Sequence, residues 1–412
     1  MDYSYLISSL DIGTTKICCL VAEVTTGASL EILGVGITPC TGLRKGVVVD
    51  IASTVSAIRK AVEEAQKMAG EKIDSVVVGI TGEHIACLNS RSVVAITHPR
   101  REITEADLER ALESSRTIVL PSDREIIHAI PRWYSVDGQR GVRTPIGMHG
   151  NRLEVETHVV TGVSTFLQNV LKCVNQAGLS VDGTVLEPVA TGECVLLPAE
   201  RELGVALADI GGGTSDVAAY IEGEIYFSGI VPVGGNHVTK DISVGLRTTI
   251  EEAERIKLNY GYAAIKFVGN DESFEFTSIG SNKVRRLPQK VLAEIIEPRA
   301  AEMCQLIGEQ IEKAGCREKL SAGLVLTGGG ALLRGLPELM SEILGLPVRV
   351  GAPSNLTGHA SAVSSPACST AVGLLEFWRK YQDKQMDERR DGTVLFNILK
   401  RIREVFARIY QD

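Results

Sequence analysis

Few positions in this chain carry the residues that announce a disulfide, a metal site or a membrane span. Its nine cysteines include no C-x-x-C pair and no Cys/His metal spacing, so zinc and thioredoxin-type readings are excluded and reduced, mostly buried thiols are expected. The seven histidines are scattered without an H-E-x-x-H, and no serine or cysteine nucleophile signature occurs, which sets aside hydrolase and metalloenzyme classes. No apolar run approaches the ~20 residues of a spanning helix, and Met1 to Leu10 lacks the order of a secretory signal. A broad nucleic-acid-binding face would need clustered excess Lys and Arg over the whole surface, while local basic patches stay open. At a net charge of −8 no broad nucleic-acid-binding face is expected. The G-x-x-x-x-G-K-[ST] loop is absent, and Gly34-Val35-Gly36 lacks the third glycine of a dinucleotide turn.

What remains is an ordinary globular composition, 44% hydrophobic and 23% charged over 412 residues, long enough for two domains with separate cores. The most informative stretch is DIGGGTSD, Asp209 to Asp216, set between the apolar runs Val205 to Ala208 and Val217 to Ile221. Three glycines in a tight turn let backbone N–H groups approach an anion, so the run reads as a phosphate-binding hairpin. Asp209, at the end of the incoming strand, would face a phosphate-bound divalent cation, since hard cations prefer carboxylate and water oxygens. The pattern recurs at Asp11-Ile12-Gly13-Thr14-Thr15. Two copies imply an α/β fold of duplicated halves closing on one nucleotide. Gly328-Gly329-Gly330, after the buried run Leu324 to Thr327, reads either as a helix start or, better, as a glycine-lined pocket for adenine. The helix with Glu251, Glu252, Glu254 and Lys257 reads equally well as a solvated charged face.

In chain order, Ile17 to Val24 and Leu30 to Ile37 predict a hairpin, and Asp50 is placed to cap a helix that Gly70 ends. Ile73 to Thr81 reads as a strand covered on both faces. From His84 to Thr161 the texture changes to a small inserted α+β unit whose helix starts with a capping box at Thr104 and Asp107. A helix over Ser164 to Ala177 and a strand over Val181 to Leu186 follow. Gly269 to Lys290 is expected to be irregular, Val291 to Ala314 and Leu332 to Leu344 helical, and Ser369 to Tyr381 the last domain helix. Lys384 to Gly392 reads as a flexible linker. Beyond it, Leu395, Phe396, Leu399, Ile402, Phe406 and Ile409 share one helical face, opposite Lys400, Arg401, Arg403 and Arg408. That pattern fits an interfacial anchor in anionic lipid, the alternative being a partner-packing helix.

The order DIGTTK, DIGGGTSD, LTGGGALLRGL resembles the two phosphate motifs and adenosine motif of the actin, sugar-kinase and heat-shock-chaperone ATPases. Within that group GGNHVTKDISVGLRTTIEEAERIK, AEIIEPRAAE and RVGAPSNLTG are similar to blocks of the FtsA family of bacterial actin-like cell-division proteins. The resemblance covers essentially the whole chain. It implies an actin-like ATPase fold with 1–83 and 162–203 as the first domain, 84–161 inserted in it, 204–238 and 321–364 as the second-domain core and 239–320 as its small subdomain. A return helix at 365–382, a linker at 383–393 and a membrane-targeting helix at 394–412 complete the layout.

The implied ligands are ATP and Mg2+. Asp11, Gly13, Thr14, Thr15 and Lys16 would contact phosphate together with Gly211, Gly212, Gly213 and Thr214; Asp209 would hold Mg2+ through water. Gly329 and Gly330 would meet adenine, Glu254 and Lys257 the ribose, and Glu187 the attacking water. Arg285, Arg299 and Glu302 resemble the site for the C-terminal peptide of the tubulin-like protein FtsZ; an acidic peptide suits arginine. The resemblance further implies self-association into filaments, anionic membrane lipids and downstream division proteins as partners, and a place on the cytoplasmic face of the membrane at the division site. A small-molecule kinase or pilus-assembly ATPase of the same group is the competing expectation.

Overall fold

A computed structural model describes residues 4–25, 29–269, 272–279 and 284–391. Three antiparallel strands, Ser4–Ile12, Lys16–Thr25 and Glu31–Pro39, open the chain. The helix Ile51–Ala69 then returns it so that Ser75–Ile80 lies parallel to the first strand, and Ser180–Leu186 lies parallel beyond that. The helix begins where the Asp50 carboxylate accepts the Ser53 N–H at 3.0 Å, and ends at Gly70, whose φ of 71° is left-handed. It lies directly on the third strand: a Cβ at Gly36 would stand 1.8 Å from the Ala61 carbonyl oxygen.

The second half repeats the plan. Val205–Ile210, Ser215–Ile221 and Glu224–Val231 form an antiparallel meander, and Leu324–Thr327 and Val348–Val350 add parallel to its first strand. In both sheets the first strand is central, with antiparallel neighbours on one side and parallel ones on the other. Two helices carry the chain between the halves, Glu187–Val195 outward and Ser369–Asp391 back. They touch through small residues, since a Cβ at Gly373 would lie 2.2 Å from the Ala190 oxygen.

Each half carries an insertion at a different point. In the first, the strands Ala86–Ala95, Arg124–Val136, Gln139–Val142 and Arg152–Val163 make a separate sheet covered by the helix Glu105–Arg116, whose Thr104/Asp107 capping box is formed. Arg124 closes the neck of this insert, donating to the His84 carbonyl at 2.8 Å and the Thr161 carbonyl at 3.0 Å. The insert also reaches the second half: His158 Nε2 and Cys87 Sγ both meet Ser228 Oγ, at 2.8 and 2.9 Å, and Arg132 stacks over Tyr226. The second insertion holds the helices Gly235–Leu246, Ile250–Tyr260 and Gln289–Lys313.

Three sequence expectations need correction. The stretch read as irregular contains a hairpin, Ser273–Thr277 with Val284–Pro288, because Phe274 and Phe276 alternate inward and are buried to 1% and 2% exposure. Leu332 to Leu344 is a short 3₁₀ turn, Gly329–Leu332, then a helix only from Leu336, with Gly335 left-handed between them. The last helix runs on to Asp391 through the segment read as a linker; Lys, Gln, Glu and Arg are strong helix formers, and low apolar content does not stop a helix. All nine cysteines are free thiols, seven of them buried. The amphipathic segment with Leu395, Phe396, Leu399, Ile402, Arg403, Phe406 and Ile409 lies outside the described residues.

Candidate functional site: a nucleotide cleft between the two halves

The central strand of each sheet ends in a carboxylate and a glycine turn, and the two turns face each other. In the first, the Gly13 N–H donates to the Lys16 carbonyl at 3.0 Å; in the second, Gly211 donates to Thr214 at 2.9 Å. Glycine is required where they meet. A Cβ at Gly212 would stand 2.4 Å from the Thr15 methyl carbon, and one at Gly213 2.7 Å from Thr14 Oγ1. The turns form the floor of a cleft of about 420 Å³.

Four carboxyl groups, Asp11, Asp209, Asp216 and Glu187, line the cleft together with the Lys16 ammonium. Burial raises the Asp11 pKa to about 6 despite Lys16, with Asp209 adding to the rise. Asp209 is raised by burial too, although Thr370 and Thr191 hydroxyls counter it. Burial and then Asp209 push Asp216 up to about 8, while the Thr81 hydroxyl, 2.7 and 2.8 Å from its two oxygens, opposes. Glu187 is held well above the carboxylate range by burial and by Asp11, Asp216 and Asp209, and its Oε1 has no hydrogen-bond partner. Burial works against the Lys16 ammonium, but Asp11 and further negative groups outweigh it and raise its pKa; the ammonium donates to the Ala367 carbonyl. The site is short of positive charge. Among the described residues no three His, Cys, Asp or Glu side chains are gathered closely enough to hold an ion directly. That donor set suits a hard cation that keeps most of its waters.

Gly328-Gly329-Gly330 forms the opposite wall. Gly328 has φ 81°, and Cβ atoms at Gly328 and Gly330 would stand 2.3 Å from Asp209 Oδ1 and 2.2 Å from Ile210 Cγ2. Met303, Leu333 and Arg334 line the same end, giving a glycine-floored, partly apolar slot. The charged helix divides between its two readings. Glu251 is exposed, whereas Lys257 pairs with Glu254 at 2.7 Å and donates to Thr239 at 2.9 Å and the Gly235 carbonyl at 3.2 Å, on the cleft wall.

All the residues assigned from sequence to nucleotide, cation and water therefore line one cleft. Sequence reasoning missed Thr81, Thr191 and Thr370. The proposed peptide site lies apart: Arg299 pairs with Glu302 and, at 2.7 Å, with Asp241, which was not foreseen, while Arg285 stands over the Phe276 ring. Among the described residues no helix is long and apolar enough to cross a membrane.

Comparison with known proteins agrees with this architecture. Residues 206–373 match the family "Cell division protein FtsA", and 82–161 match "SHS2 domain inserted in FTSA". The chain is 43% identical to the cell division protein FtsA of Pseudomonas aeruginosa over 94% of this chain and 93% of that one. It is 43% identical to that of Neisseria meningitidis over 96% and 97%. Among solved structures it is similar to the PilM–PilN type IV pilus biogenesis complex, with TM-score 0.63 and 18% identity over 89% of this chain and 97% of that one. It is similar also to MreB5 of Spiroplasma citri bound to ADP, with TM-score 0.55 and 17% identity over 93% and 98%. With an actin-like duplicated fold, a nucleotide-sized cleft and this identity over most of its length, the chain belongs to the FtsA family of bacterial cell-division proteins.

Proposed function

We propose that the chain binds ATP with magnesium in the central cleft, polymerises into actin-like filaments, and tethers the FtsZ ring to the inner face of the cytoplasmic membrane while recruiting later division proteins. The observation that carries the nucleotide reading is the pair of facing glycine turns above Asp11 and Asp209, with the ADP-bound relative of the same fold in support. Backbone N–H groups and Lys16 bind phosphate oxygens, Asp209 holds water on the cation, and the glycine wall at Gly329 and Gly330 takes the base. The cation, when bound, supplies the positive charge that the four cleft carboxyl groups lack. Glu187, whose pKa is held up by burial and by Asp11, Asp216 and Asp209, lines the same cleft and would position a water there by hydrogen bonding. Arg299 and Arg285 bind the acidic partner peptide, and Leu395 to Tyr410 lies in the lipid headgroups as a basic amphipathic helix.

Two measurements test this. Asp209→Ala is expected to weaken magnesium-dependent ATP binding in calorimetry; equal affinity in the variant removes Asp209 from the site. Deleting Leu395 to Asp412 is expected to abolish pelleting with anionic vesicles while leaving ATP binding intact, and undiminished pelleting rejects the anchor.

A further inference from the structure

We propose that Thr191 and Thr370 are positioning residues for the cation-facing carboxylate, and that through them both chain crossings between the halves hold Asp209. The inference rests on the reading of Asp209 given above. Thr191 lies in the outward helix Glu187–Val195, and Thr370 is the second residue of the return helix Ser369–Asp391. Neither belongs to a glycine motif. The Thr191 hydroxyl donates to Asp209 Oδ2 at 3.0 Å and the Thr370 hydroxyl to the same oxygen at 2.9 Å, with the two Oγ1 atoms 3.3 Å apart. The three residues are 0%, 8% and 6% exposed.

Two donors on one oxygen fix the plane of the carboxylate. Oδ1 is left beside Gly328, on the side where the absent Cβ opens the cleft. Hydrogen bonds of this kind orient metal-binding carboxylates and tune the affinity of the site. Here their origin adds a second consequence. The two crossings are also joined by Cys194 Sγ donating to the Ser369 carbonyl at 3.1 Å, and Ser369 Oγ is 2.7 Å from Thr327 Oγ1 on the strand beside Asp209. The two chain crossings that join the halves are therefore also the elements that grip the carboxylate. A rotation that separates the outward from the return helix removes one hydroxyl from Oδ2, and a cation drawing on Asp209 favours the arrangement in which both reach it.

The full-length chain loaded with ADP and titrated with Mn2+, with free Mn2+ read by electron paramagnetic resonance, tests the proposal. Thr191→Val with Thr370→Val is expected to lose roughly 10–100-fold in Mn2+ affinity, the range for removed outer-shell partners. ADP affinity without metal should stay at the wild-type value, and Thr191→Ser with Thr370→Ser should keep wild-type Mn2+ binding. Asp209→Asn separates this proposal from the reading beneath it. If Asp209→Asn weakens Mn2+ and the valine pair does not, the positioning role is overturned and the Asp209 reading stands. If Asp209→Asn binds Mn2+ normally, both fall. Equal loss of Mn2+ and metal-free ADP affinity in the valine pair also overturns the role, by assigning the hydroxyls to the cleft's general structure. Should the pair not fold, Thr370→Val alone is held to the same comparison.

Discussion

At His84 a titratable ring is buried with both nitrogens unpartnered, edge-on to Phe166 at 5.2 Å. Burial, and then the Arg124 charge, lower its pKa to about 4 against the opposing pull of Glu83. His128 is lowered to about 4 by burial, and His158 to about 3 by burial, Arg132 and His128. An imidazole depressed from its ordinary 6.5 contributes stability that is full above that pH and is lost as pH falls toward 4. His84→Leu removes one such group without breaking a hydrogen bond. Its melting temperature should stay close to wild type at about pH 7.5 and exceed it at about pH 5. A leucine variant less stable than wild type at the lower pH contradicts this. The same residue scale marks where sequence reading stops. Asp209, Lys16 and the glycines are legible because each turn is a local pattern. Thr81, Thr191 and Thr370 are single threonines whose partners lie 135, 18 and 161 residues away in other elements, and no spacing rule reaches them.

Among the elements, the contact of the helix Ile51–Ala69 with the strand Glu31–Pro39 is the tightest backbone approach in the first half that a glycine permits. Gly36→Ala must push the helix away, so a loss of about 1–3 kcal/mol is expected, the usual range for overpacking, read as a shift in the urea midpoint. A midpoint equal to wild type shows that the helix yields freely. Elements with strong local signals were readable: the Asp50 cap, the Gly70 stop, the Thr104 box. The hairpin Ser273–Thr277 with Val284–Pro288 was not, because the alternation in SFEFT spans only five residues and its partner VRRLP shows none. The extension of the last helix to Asp391 was hidden for the opposite reason, a composition read as disorder that is also rich in helix formers.

Across the whole molecule, duplication was legible from two glycine runs, whereas the docking of the insert on the second half was not, since it depends on shape. Ser228 is the shared partner of His158 and Cys87 in that docking. Ser228→Ala should speed hydrogen exchange in the insert strand Ala86–Ala95 and leave Leu324–Thr327 unchanged; uniform protection in both would mean that packing around Arg132 and Tyr226 suffices. The roots of the insert have a mechanical meaning. It grows out of the chain directly after Thr81, which holds Asp216 across the cleft. Its His128 ring accepts the Leu186 N–H at 2.9 Å, one residue before Glu187. A load hung on the insert would thus be delivered at Thr81 and beside Glu187, where two neighbouring strands of the first half end at the cleft, and the cleft doubles as a strain gauge for whatever pulls on it.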